Sequence, residues 1–145
     1  MLKIRIILLS ILLLQLSIGF SSNFKFKNYL YNDSTKSRFN FKTGKKENGI
    51  YFHYGKIFDF KHEKNNLKKG YYVVTESFFD FELLNQEIIR YFNFGFPDVD
   101  FFTQISINTF FLTVYFTELR NEAINKVIET KSAGVPHVWI QVLED

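Results

Sequence analysis

The sequence contains no cysteine. That absence excludes disulfide staples, thiol catalysis, cysteine-ligated zinc, iron–sulfur clusters and attachment of a lipoprotein lipid. A domain of this kind stands on packing and hydrogen bonds, or on metal or partner binding. In an exported chain the absence leans towards a bacterial envelope, since many secreted animal domains of similar size are stapled by disulfides. Proline occurs twice and glycine seven times, with no rich stretch of either that would mark a linker. No internal repeat is visible. Catalytic signatures are equally scarce: the chain has no GxSxG elbow, phosphate loop, dinucleotide fingerprint or HExxH. Its one SxxK match, Ser22-Asn23-Phe24-Lys25, lacks SDN and KTG companions and reads as chance.

What the chain does have begins at its N-terminus. Lys3 and Arg5 form a short basic region, followed by the apolar run Ile6-Ile7-Leu8-Leu9-Ser10-Ile11-Leu12-Leu13-Leu14. Ser17, Gly19 and Ser21 supply small residues for cleavage after position 19 or 21. As a helix, residues 6–20 reach only roughly 22 Å at about 1.5 Å per residue. A bilayer core is about 30 Å thick, so an export signal is expected over residues 1–21 rather than an anchor. Its removal leaves 124 residues, enough for one domain, 22–145.

Two compositional features then stand out. Nineteen Phe, eight Tyr and one Trp make the chain aromatic-rich. Each buries about 150–250 Å², so together they either build a dense core or present a platform to a ligand. The formal charge of +3 falls to +1 without the signal, but it is unevenly spread. Residues 23–70 carry twelve Lys/Arg against four Asp/Glu, whereas residues 71–145 carry four against eleven. Facing charges within one fold explain this, as does a dipolar surface that steers a charged partner. A nucleic-acid partner is not expected, because Arg38 is the sole arginine of the basic stretch and the signal exports the protein.

Hydropathy patterning predicts the elements. Residues 24–27 and 39–42 alternate apolar and polar as half-buried strands, with a loop over 32–37 between them. Asn48-Gly49 predicts a hairpin, followed by strands over 50–54 and 57–61 around Gly55, a charged turn over 64–70, and a strand over 71–75. These read together as an antiparallel meander. Phe81, Leu84, Ile88, Tyr91 and Phe92 predict a helix over 79–94, capped by Ser77 or Asp80 and stopped by Gly95 and Pro97. The strand pattern over 104–116 changes phase, which predicts a bulge or tight turn near Asn108 and Thr109. A second helix is predicted after a Thr117 cap, with Leu119, Ala123, Ile124, Val127 and Ile128 buried and Gly134 and Pro136 ending it. Val138, Ile140 and Val142 alternate as a last strand. The order predicts an α+β fold: a mainly antiparallel sheet with two helices packed against it, behind the signal peptide.

Few residues point to chemistry. His53, His62 and His137 lack paired spacing, and structural histidines are the simpler expectation. His53 with His62 and Asp59 is the one cluster worth testing. Asp98 and Asp100, after Pro97, offer oxygen ligands but lack the remainder of a calcium loop. Glu76, Asp80 and Glu82 are acids at a helix start, of the residue type a glycosidase pair requires. His137, Trp139 and Gln141 share one strand face, which either lines a surface or packs under a helix. Asn32-Asp33-Ser34 is a glycosylation sequon, meaningful in a eukaryotic host. No catalytic residue, metal or cofactor is assigned. The expected protein is an exported, periplasmic or extracellular, non-catalytic binder of a protein partner, as an inhibitor, immunity-type or envelope accessory protein. The alternative is an aromatic-lined module for a lipid, glycan or other small apolar ligand. No permanent membrane span is expected once the signal is cleaved.

Overall fold

The structure is a computed structural model and describes residues 44–145; the expected signal, the strands expected over 24–27 and 39–42 and the sequon lie outside the described residues. Asn48 and Gly49 take φ of 48° and 81°, the two left-handed positions of a tight hairpin turn. They join β1 (Lys45–Glu47) to β2 (Ile50–Lys56) in the expected hairpin. A 3-10 turn, Ile57–Asp59, follows, and then a two-residue strand β3 (Phe60–Lys61). β4 (Gly70–Phe78) leads into α1 (Phe81–Asn93), β5 (Asp100–Gln104), β6 (Thr109–Thr117), α2 (Arg120–Ser132) and β7 (Trp139–Glu144).

Local chemistry accounts for most boundaries. Asp80 accepts a hydrogen bond from the Leu83 amide at 2.9 Å and caps α1. Gly95, at φ 103°, follows its last turn, and Pro97 lies beyond. The expected phase change is a tight turn: Asn108, at φ 47°, donates its amide to Ile105 O and the chain reverses from β5 into β6. Thr117 stays in β6 and is not the expected cap: Leu119 holds the N-cap position of α2 without a side-chain cap bond. The Thr117 hydroxyl accepts from Leu119 N at 3.1 Å and donates to Glu122 at 2.7 Å.

The seven strands form one sheet in the order β1-β2-β7-β4-β6-β5-β3, antiparallel except for the β2 and β7 pair. This is the expected α+β fold, but not the expected meander. Residues 57–61 do not pair beside β2; only Phe60 and Lys61 are strand, and they pair with Gln104 and Thr103 at the opposite edge. The reason is geometric. β2 and β3 lie five strand spacings apart, roughly 24 Å in a flat sheet. Four residue steps from Lys56 to Phe60 span at most roughly 14 Å. The sheet must therefore roll until its two sides approach. Gly55 permits this: a Cβ there would sit 2.5 Å from the Phe60 ring.

Rolling creates two cores. Both helices cover the outer face, where Phe52, Val73, Phe78, Leu112, Val114 and Ile140 meet Leu84, Tyr91, Ala123 and Val127. The inner face packs Phe60, Tyr72, Val74, Phe102, Phe111, Trp139 and Leu143 on one another. Strand β7 is thus buried on both sides from Trp139 to Leu143. The helix α2 stripe differs from expectation: Ala123, Val127 and Thr130 are buried, while Leu119 and Ile128 are exposed. The spacing of the first three sets the helix rotation, and Thr130 enters the core because its hydroxyl donates to Lys126 O at 2.7 Å. Among the described residues no helix is long and apolar enough to cross a membrane.

Candidate functional site

The one sequence cluster held open for chemistry does not assemble. His53 is buried in the roll with its ring 6.4 Å from that of Trp139. Asp59 turns to the β5–β6 connection, where it accepts from Ser106 N at 2.9 Å, Ser106 Oγ at 2.7 Å and Gln104 Nε2 at 2.8 Å. His62 goes elsewhere again, to Asp100. His137 is exposed ahead of β7, while Trp139 and Gln141 face the interior of the roll rather than a surface or a helix. Glu76 lies under α1, where Arg90 Nη2 and the Tyr91 hydroxyl reach its Oε1 at 3.4 and 3.2 Å. Burial, then the Glu76 charge, raises the Tyr91 pKa and keeps its hydroxyl a donor. Asp80 is a cap and Glu82 is exposed, so the three acids form no pair. Among the described residues no three His, Cys, Asp or Glu side chains converge as metal ligands.

The basic and acidic stretches meet instead of standing apart. Lys56 donates to the main-chain oxygen of Asp145, Lys69 pairs with the Asp145 carboxylate, and Glu47 pairs with Arg120. Arg120 also lies over the Phe52 ring, 4.7 Å from its centroid, so the β1–β2 hairpin is held to α2.

The arrangement with the clearest binding geometry is a cleft of about 430 Å³ beneath the 62–69 loop. Leu67, Tyr72, Phe102 and Phe116 form its apolar wall, and Asn65, Lys68 and Asp100 its polar rim. The Tyr72 and Phe116 rings lie 4.6 Å apart. A bulge in the β4 and β6 pairing turns Phe116 inward: the register steps between Val73 and Glu76. Without that step Phe116 and Phe111, five residues apart, would face opposite sides.

Two ties shape the covering loop. The His62 ring, 8% exposed, accepts from the amides of Lys64 and Asn65 at 3.1 and 3.0 Å through Nδ1. Nδ1 is therefore unprotonated, and Nε2–H donates to both Asp100 oxygens at 3.0 Å. The ring's one lone pair is committed, so this His and Asp pair is a latch rather than a general base. Ten residues after His62, the Tyr72 hydroxyl accepts from Lys68 N at 3.1 Å and donates to Lys68 O at 2.9 Å. Sequence spacing carried no signal for the contact of His62 with Asp100, because the two lie 38 positions apart.

No protein-family model matches this chain, and no curated protein or solved structure matches it. What the chain does has to be read from its own residues.

His53 offers a pH test of the buried roll. Burial lowers its pKa below the usual imidazole value of 6.5. Between the unfolded value and that lower one, the unfolded chain binds the proton and the folded chain does not. The stability linked to a neutral His53 is fully present above about pH 6.5 and declines as pH falls towards the folded value. The urea midpoint is expected to drop between about pH 7 and pH 5, and His53→Gln is expected to flatten that drop. A slope unchanged by the substitution would place the titration elsewhere.

Proposed function

We propose that this is a non-catalytic binding protein that takes a small, largely apolar ligand in the cleft under the 62–69 loop. The observation that carries the reading is that the cleft is preformed. Its loop is tied through His62 at one end and through the Lys68 main chain at the other. Its volume falls within the roughly 300–1,000 Å³ of small-molecule sites. A fixed wall of Tyr72, Phe102 and Phe116 avoids the ordering cost that a collapsed or mobile site would incur on binding. The groups best suited to proton transfer there, the His62 ring and the Tyr72 hydroxyl, are committed to the backbone, which supports binding over catalysis. Export directed by residues 1–21 belongs to the same proposal and places the ligand outside the cytoplasm.

Native mass spectrometry on protein purified from its own host tests this. A reproducible small-molecule adduct is expected, and Phe116→Ala is expected to reduce its occupancy at least about tenfold by removing one wall. An adduct insensitive to Phe116→Ala would move the ligand out of the cleft.

A protein partner is the second reading. Phe81, Ile89 and Phe92 are exposed along α1, and Phe58, Ile105 and Ile107 are exposed near the 3-10 turn. A co-purifying protein in place of a small-molecule adduct favours this reading.

A further inference from the structure

The cleft's remaining hydrogen-bond capacity points to the chemistry of its ligand. Tyr72 has spent its hydroxyl as donor and acceptor on Lys68, and His62 has spent both ring nitrogens. The Thr113 hydroxyl donates to Val73 O at 3.0 Å. Two charged groups on the lining keep capacity. Asp100 accepts from His62 Nε2 at 3.0 Å and from Phe101 N at 2.8 Å, but a carboxylate offers about four lone-pair sites. Its side chain is 53% exposed, and the His62 tautomer leaves it beside a neutral ring. Lys68 is held at its main chain by Tyr72, yet its ammonium forms no ion pair among the described residues. The lining thus combines one positioned anion, one adjustable cation and an aromatic wall.

We propose that the cleft recognises a zwitterion with an apolar side group, of the class of a free amino acid or short peptide, with its ammonium on Asp100 and its carboxylate on Lys68. This deepens the binding reading above and rests on it. A ligand with only a carboxylate meets repulsion from Asp100, and one with only an ammonium meets Lys68. An uncharged ligand leaves both charges partly desolvated and unanswered. A zwitterion satisfies both, while its side group lies against Tyr72 and Phe116.

The test is titration of the full chain with L-phenylalanine and glycyl-L-phenylalanine, against phenethylamine, 3-phenylpropionate and N-acetyl-phenylalanine amide. Binding is read by calorimetry and by NMR shifts at residues 65–68 and 116. At least one zwitterion is expected to bind about tenfold or more tighter than all three analogues. Lys68→Gln is expected to lower zwitterion affinity about tenfold while leaving phenethylamine no weaker, since it removes a like charge. Asp100→Asn retains an oxygen for the His62 latch and is expected to weaken all three ammonium-bearing ligands, leaving 3-phenylpropionate no weaker. Circular dichroism of each variant checks the fold. Equal binding of zwitterion and uncharged amide, with shifts confined to the cleft, overturns the zwitterion and keeps the cleft as a binding site. If no probe shifts the cleft residues, the zwitterion inference is overturned, and the host-derived adduct decides the site reading separately.

Discussion

Truncating Phe111 to alanine is expected to remove about 3–5 kcal/mol of folding stability. Phe111 is fully buried in the interior of the roll. Its ring stacks on Phe102 at 5.4 Å, and Phe60 and Trp139 lie at 6.4 and 6.2 Å. These neighbours belong to β3, β5 and β7, which packing around this one ring draws together. Each is itself fixed by strand pairing, so the site cannot collapse around a missing ring, and the cavity penalty applies nearly in full. Domains are stable by only about 5–15 kcal/mol in total, so this one change takes a large share. Urea unfolding followed by the fluorescence of Trp139, the only tryptophan, measures it. The exposed Phe58→Ala is expected to stay within about 0.5 kcal/mol. Equal midpoints for the two variants would mean that the inner face is not a core.

Asp59→Ala is expected to lower stability by about 2–3 kcal/mol and to loosen the approach of β3 to β5. The carboxylate receives three hydrogen bonds from Gln104 and Ser106, and its own main-chain oxygen accepts Ile105 N at 2.7 Å. Burial pushes its pKa up, but the hydrogen bonds outweigh that and hold it below the ordinary carboxylate value. The sign follows from that depression. The Asp59 contribution is present above about pH 4 and is lost as pH falls through the lower folded value. Faster amide exchange at Ile105 and Ser106 than at β4 is expected in the variant. Asp59→Asn retains one acceptor oxygen and is expected to lie between the two. Wild-type exchange in Asp59→Ala would show that the 3-10 turn is held by packing alone.

Both predictions concern features that no short window of the chain announces. Asn48-Gly49, Asp80, Gly95 with Pro97 and the turn at Asn108 each act within a few residues of themselves. Their backbone conformations and hydrogen bonds are local, so they are legible as text. The errors share one cause. Leu119 and Ile128 fit an apolar helix stripe, but α2 turns to seat Ala123, Val127 and Thr130 on the sheet. Residues 57–61 read as a strand beside β2, yet the chain crosses to the far edge. His53, His62 and Asp59 are close in sequence, but alternation, a 3-10 turn and a change of edge send them to three different environments.

By itself the sequence determined the α+β class, the hairpin, both helices and the exclusion of cysteine chemistry. Periodicity and turn residues encode such features over a few residues. Tertiary structure alone decided that β2 runs parallel to β7 and that the sheet rolls on Gly55 and Phe60. It alone brought His62 to Asp100, and Tyr72 and Phe116 to one wall. These pairings join residues tens of positions apart, and their free energy comes from burial and hydrogen bonds that exist only once the whole sheet has closed.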